Sequence, residues 1–281
     1  MRLDPARESG DQENKQSSGA SFSSVLRGFV DRHAILRVPM WNLKGTGLTR
    51  FEIAPPGSPA GVIRVLTIPG VFRPWDDSAL LVEALSAAGL RPGSEVLDLC
   101  TGSGLLSIVA ARLGAASVTA VDISGAAVIC ARLNALLHHA SVRTRRGDLY
   151  SALGAGESFD AIVCNPPWRP SAIDELPTRG ISRAWDAGRN ARALIDRVCA
   201  DAPGRLRPGG FLLIVQASFC DVPATVRRLA GHGLDVSVVA RHAAPTTQLD
   251  DLAQGLQELG PWATGDQTYE IVVIRASKHQ T

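Results

Sequence analysis

Two groups of residues in this 281-residue chain have types and spacing that can do chemistry. The first is Val96-Leu97-Asp98-Leu99-Cys100-Thr101-Gly102-Ser103-Gly104-Leu105, an apolar run that enters a glycine turn and leaves it as a helical pattern. Glycines there let the backbone approach a ligand closely at the carboxyl edge of a sheet. The second is Asn165-Pro166-Pro167-Trp168, directly after the apolar run Phe159 to Cys164. The Asn side-chain oxygen and a carbonyl of the Pro-Pro segment can both accept from one NH₂ group, which turns its lone pair in a defined direction. Prolines hold those acceptors by fixing φ, and Trp168 offers a flat face for stacking on a planar amide or base. Without other motifs, the same tetrapeptide reads as a Pro-rich turn with a packed tryptophan.

A strand, Gly-x-Gly and helix also serves dinucleotide enzymes, so the ligand must be argued from further residues. The dinucleotide fingerprint needs a third glycine three residues after Gly104, and Ser107 stands there. Asp98, just ahead of the turn, would repel a pyrophosphate and attract the ammonium end of S-adenosylmethionine. Asp122 follows about 20 residues beyond the loop at a strand end, where a carboxylate accepts from ribose hydroxyls in either cofactor class. Asp148-Leu149 closes a third strand, where a carboxylate can accept from an adenine amino group while the next amide donates to the ring. Singly, each aspartate also reads as a helix cap or a surface charge. Three in order, each at a strand end, point to a nucleoside.

The elements that must position these groups alternate. Apolar strands are expected at Glu95 to Cys100, Ser117 to Asp122, Val142 to Arg146, Phe159 to Cys164 and Phe211 to Gln216. Helices are expected at Leu105 to Leu113, Gly125 to Leu137 and around Ala224 to Ala230, and final strands near Asp235 to Ala240 and Tyr269 to Arg275. That order implies an α/β, Rossmann-like, doubly wound sheet, seven-stranded and mostly parallel, with right-handed crossovers. Upstream, Asp77 or Ser78 can cap a helix through Leu80, Leu81, Ala84, Leu85 and Ala88. Leu48 to Ala54 and Gly61 to Ile68 read as a hairpin around Pro55 to Pro59, and Phe22, Val25, Leu26, Phe29 and Val30 fall at helical spacing. Residues 1–20 mix charges with Ser, Gly and Gln, a composition expected to be disordered. The expected division is therefore 1–20 tail, 21–70 helix and hairpin extension, 71–281 catalytic domain.

Taken in sequence order, the glycine loop, Asp122, Gly147-Asp148-Leu149, Phe159 to Trp168 and Leu206-Arg207-Pro208-Gly209-Gly210 resemble the class I S-adenosylmethionine-dependent methyltransferases over about half the chain. Asn165 to Trp168 is similar to the Asn-Pro-Pro-aromatic signature of amino-methyltransferases acting on adenine or glutamine, with Trp where Tyr or Phe is commoner. Val71-Phe72-Arg73-Pro74-Trp75-Asp76-Asp77-Ser78-Ala79-Leu80-Leu81 looks like the segment preceding the cofactor loop in protein-(glutamine-N5) methyltransferases that modify release factors. The resemblance implies S-adenosylmethionine as cofactor and S-adenosylhomocysteine as product, with no metal. It implies a cofactor set of Ser78, Asp98, Thr101, Gly102, Gly104, Asp122, Ile123, Asp148, Leu149 and Asn165, and a catalytic set of Asn165, Pro166, Pro167 and Trp168. Cys100 stands where glycine is common, a change expected to be tolerated if its side chain faces the core.

Composition narrows the partners. Lys plus Arg total 29 against 27 Asp plus Glu, a formal charge of +2, so nucleic acid is not an expected partner. No apolar run approaches the ~20 residues of a bilayer span, and the N-terminus lacks a signal-peptide segment, so a cytoplasmic protein without a membrane partner is expected. The five cysteines form no Cys-x-x-Cys pair and read as reduced core residues, and the six histidines show no metal-ligand spacing. The acceptor is expected to be a protein or small molecule bearing a planar amine or amide, most simply a protein glutamine. A small-molecule tailoring enzyme is the alternative, followed by an adenine N6-methyltransferase or a non-catalytic binding module. Between Arg169 and Asn190, Pro170, Pro177, Gly180 and Gly188 mark a loop expected to act as a lid, with Trp185 as a recognition platform or an anchor.

Overall fold

A computed structural model describes residues 41–43, 48–54, 60–245 and 268–280. The expected tail over 1–20, the helix at 21–30 and the turn at Pro55 to Pro59 lie outside the described residues.

Strands β1 (Trp41–Leu43), β2 (Leu48–Ile53) and β3 (Ile63–Thr67) form a three-stranded antiparallel sheet in sequence order. The hairpin expected from alternation is thus present, widened by a first strand too short to show a period. Its inward residues Phe51, Ile53, Ile63 and Val65 join one apolar cluster with Leu81 and Leu85 of helix α1 (Asp76–Ala87) and Ile108 of helix α2 (Leu105–Arg112). Each such side chain contributes about 1.5–3 kcal/mol on burial, so the small sheet is held by the main core. His138 ties the same layers together. Its Nδ1 accepts from Arg112 at 3.0 Å and its Nε2 donates to the Arg64 carbonyl at 2.6 Å, a tautomer dictated by partners that can only donate and only accept. The histidine therefore braces α2 against β3.

The main sheet has seven strands in the order β6-β5-β4-β7-β8-β10-β9. They are β4 (Glu95–Leu99), β5 (Ser117–Asp122), β6 (Val142–Arg146), β7 (Phe159–Cys164), β8 (Leu206–Ala217), β9 (Asp235–Pro245) and β10 (Thr268–Ser277). The first five in spatial order run parallel, and β10 is antiparallel to both β8 and β9. Chain order reverses direction between β4 and β7, so the ends of these strands open a crevice at the switch point.

Helices cover both faces. Beyond α1 and α2 they are α3 (Gly125–Leu137), α4 (Ala193–Arg205) and α5 (Val222–Gly231). Helix α4 is not among the expected elements; Pro203 and Gly204 sit in its last turn. Its signal is nevertheless in the sequence: Ile195, Val198, Cys199 and Ala202 recur at helical spacing and are all fully buried. Strand β8 begins before the expected Phe211. Phe159 pairs with Leu206 and Ala161 with Phe211, so Arg207 to Gly210 bulge opposite Asp160, where Gly209 takes φ +74°.

Candidate active site

The glycine loop follows β4 and reverses by alternating left-handed residues: Cys100 at φ +58°, Gly102 at +55° and Gly104 at +82°. Gly104 opens α2, and a Cβ there would lie 2.9 Å from Ala131 Cα of α3, so the loop turns where two helices nearly touch. Asn134, fully buried on α3, fixes the same loop by donating to the Ser103 carbonyl at 2.8 Å. Its amide also exchanges hydrogen bonds with both backbone groups of Leu66 in β3. Every polar atom of that side chain is thereby used in holding loop, helix and small sheet together.

A cavity of about 340 Å³ opens above this loop at the carboxyl ends of β4, β5 and β7. Of the residues expected to hold cofactor, Ser78, Thr101, Gly102, Asp122, Ile123, Asp148, Leu149 and Asn165 line it, together with Pro167. Asp122 accepts from the Gly102 amide at 3.0 Å and the Ser124 amide at 2.8 Å, one on each oxygen. Burial raises its carboxyl above the ordinary value, while those two amides pull it back. Asp148 pairs with Arg197 of α4 at 2.8 Å, and both residues line the cavity.

Two expected residues do not line it. Gly104 serves the close approach of α2 to α3, as its contact with Ala131 shows. Asp98 is fully buried one layer beneath the loop, where Thr101 and Ser107 each donate to its Oδ2 at 2.6 Å. Burial pushes its carboxyl up to about 6 against those two hydrogen bonds. Among the described residues its Oδ1 is the buried side-chain polar atom with no partner, an acceptor suited to the ammonium of an amino-acid moiety.

Cys100 is left-handed and half-buried: the residue borders the cavity, while its side chain packs against the core beside Cys164, the setting in which a cysteine in place of glycine was expected to be tolerated. The other four cysteines are buried. Burial and the neighbouring Cys100 push the Cys164 thiol well above its ordinary range.

A narrow recess of about 20 Å³ adjoins the cavity, lined by Asn165, Pro166, Pro167 and Trp168 with Phe72, Asp77, Arg169, Ala184 and Trp185. Trp168 is not the open platform expected: it is 7% exposed and packs against Phe219 and Tyr269 at ring distances of 6.0 and 6.1 Å. Its side chain instead lies with Asp77 in the recess and favours the ionised form of that carboxyl. Trp185 closes the recess from the far side, 6.5 Å from Phe72 and with the Arg169 guanidinium 5.7 Å over its ring.

Asp77 and Ser78 were expected to cap α1, but the cap position is Trp75, and both lie in the first turn. Asn165 Nδ2 donates to Ser78 Oγ at 3.2 Å, and the Ser78 hydroxyl donates to Asp77 Oδ1 at 3.1 Å. The nitrogen end of the Asn165 amide is thus occupied, leaving its oxygen for a ligand. Sequence spacing missed Asp77 and Arg197 because each reaches the site from a helix beside the motif strands.

The segment from Arg169 to Asn190 is pinned at its base. Arg169 N–H donates to the Trp185 carbonyl at 2.7 Å, and Ala187 N–H donates to that of Arg169 at 2.9 Å. Between these points Leu176, Pro177, Ile181 and Arg183 line the cavity. A pinned loop with apolar residues over the crevice can exclude water from it.

A family profile described as "Methyltransferase small domain" matches residues 62–179. A putative protein N5-glutamine methyltransferase of Methanocaldococcus jannaschii is 32% identical over 187 residues, 66% of this chain and 92% of that protein. The release factor glutamine methyltransferase of Bordetella pertussis is 41% identical over 149 residues, 50% of this chain and 55% of its own length. The chain therefore spans about half the length of such release factor enzymes. Among solved structures, a 16S rRNA N2 methyltransferase of T. thermophilus in complex with AdoMet and guanosine aligns with TM-score 0.54 at 23% identity, over 83% of this chain and 51% of that one. A putative methyltransferase complexed with SAH aligns with TM-score 0.52 at 15% identity, over 81% and 56% of the two chains. At these identities the likeness is one of fold.

Proposed function

The chain is an S-adenosylmethionine-dependent methyltransferase of the family that holds the protein N5-glutamine and release factor glutamine methyltransferases, and we propose that it methylates the side-chain amide nitrogen of a protein glutamine. The observation that carries this reading is the pinned amide of Asn165, whose nitrogen is taken by Ser78 and whose oxygen is left to accept from an NH₂ group.

The residues present fit the cofactor. A cavity of about 340 Å³ lies within the range of small-ligand sites. Asp122 and Asp148 line it at successive strand ends, to take ribose hydroxyls and an adenine amino group, and the orphaned Asp98 Oδ1 suits an ammonium. When bound, S-adenosylmethionine supplies a methyl group on a positively charged sulfur.

The chain's own residues then do the positioning. An amide nitrogen is a weak nucleophile because its lone pair is shared with the carbonyl. Two acceptors on its hydrogens, Asn165 Oδ1 and a carbonyl of Pro166-Pro167, turn that lone pair toward the cavity and stabilise the charge that develops as the nitrogen gains a methyl group and loses one proton. Pro166 and Pro167 keep these acceptors from reorganising.

The test uses methyl-labelled cofactor and an unmethylated bacterial release factor, with tandem mass spectrometry of the product. Label on a glutamine supports the reading. Label confined to another residue type, or transferred to small molecules of an extract but not to protein, overturns it.

A further inference from the structure

We propose that Asp77 is a positioning residue that fixes which end of the Asn165 side-chain amide faces the acceptor, an inference that deepens the N-methyltransfer reading and rests on it. A side-chain amide is nearly symmetric in shape but opposite in hydrogen bonding at its two ends: the oxygen accepts and the NH₂ donates. Rotated by half a turn, Asn165 would still fill its place, but it would meet an incoming NH₂ group with hydrogens of its own. Packing alone does not prevent this, so a polar group must.

Asp77 meets that need. It is 3% exposed in the first turn of α1, at the floor of the recess. Its carboxylate receives the Ser78 hydroxyl at 3.1 Å, and the polar side chains of Asn165 and Trp168 beside it favour its ionised form. An ionised carboxylate can only accept, so every group turned toward it must present hydrogen. Ser78 has given its one hydroxyl hydrogen to Asp77 and can only accept from Asn165. The Ser78 oxygen, held as an acceptor by Asp77, therefore draws in Nδ2 and leaves Oδ1 to face the substrate.

Trp168 takes on a meaning that stacking does not supply. Its indole N–H is a donor that can never turn into an acceptor, so it reinforces the polarity of the cluster. A phenylalanine there would leave the buried carboxylate one partner short.

The orientation depends on the charge of Asp77. Protonated, it could donate to Asn165 Oδ1, and both orientations would be satisfied. Burial raises its carboxyl above the ordinary value, with Asn165, Ser78 and Trp168 pulling back. The other ionisable groups around this corner are Tyr269 of β10, Arg169 at the base of the loop, the neighbouring Asp76, and His242 of β9, which lies 3.9 Å from Asp76. Asp77 is the carboxylate joined to Asn165 through the Ser78 hydroxyl, so a titration sensed at the Asn165 amide reports Asp77.

The experiment has two arms. In nitrogen-15 NMR of the full chain, the Asn165 side-chain NH₂ signal, assigned by its loss in Asn165→Ala, is expected to shift on acidification in step with one carboxyl group. That shift should vanish in Asp77→Asn, which keeps the shape and can donate. In steady-state kinetics with the release factor as acceptor, Asp77→Asn is expected to lower kcat by about a hundredfold with KM and S-adenosylhomocysteine affinity unchanged. An Asn165 signal insensitive to pH, or an Asp77→Asn protein with wild-type kcat, overturns the proposal. The wild-type titration needs no known acceptor and no active variant. Its failure is therefore distinct from failure of the glutamine reading.

Discussion

Asp122 Oδ2 accepts the backbone N–H of Gly102 at 3.0 Å, so a strand-end carboxylate facing the cavity also holds the loop that floors it. Its other oxygen accepts from Ser124 at 2.8 Å at the start of α3. Loop shape and ligand contact thus depend on one side chain. Asp122→Ala should weaken S-adenosylhomocysteine binding by about 10- to 100-fold, the equivalent of one hydrogen bond to a charged group, as read by calorimetry. Unchanged affinity would remove Asp122 from the cofactor site.

Asp98 gives the cofactor site a pH dependence. Burial pushes its carboxyl up to about 6, above its unfolded value, so its proton is favoured in the ligand-free fold. The positive charge of an ammonium bound in the cavity above the loop would favour the ionised form, whose Oδ1 is otherwise unpartnered. Binding should then release a proton near pH 6, and affinity should rise with pH through that region before levelling off. Calorimetry in buffers of different ionisation enthalpy reads both effects. Asp98→Asn should abolish the step, and a wild-type affinity flat across the range would contradict the contact.

Gly104 tests the scaffold apart from the chemistry. It combines φ +82° with a Cβ position 2.9 Å from Ala131 Cα and 3.0 Å from Ala131 Cβ. Gly104→Ala therefore faces both left-handed strain and a backbone contact that cannot yield without moving α2 from α3. A loss of roughly 2–4 kcal/mol in urea unfolding is expected. A change under about 0.5 kcal/mol would mean that the two helices separate freely, contrary to the packing described.

Much of this was legible because strand and helix periods survive in the sequence. Ser117 to Asp122, Gly125 to Leu137, Val142 to Arg146 and Phe159 to Cys164 begin and end where the apolar pattern places them. Depth was not legible. Asp98 and Asp122 both sit near strand ends in the sequence, yet one is sealed under Thr101 and Ser107 and the other lines the cavity. Neighbours distant in the chain were not legible either. Phe219 and Tyr269 cover Trp168, Arg197 reaches Asp148 from a helix that carries a Pro-Gly pair, and Asp77, a cap candidate in the sequence, is joined to Asn165 through Ser78.

The central claim is that Asn165 orients an acceptor nitrogen rather than holding the cofactor pocket together. The direct measurement compares methyl transfer to the release factor with S-adenosylhomocysteine affinity in Asn165→Ala. Loss of transfer by about a thousandfold, with affinity changed by less than about tenfold, is the expected result. Retained transfer, or loss of both in equal measure, would contradict it.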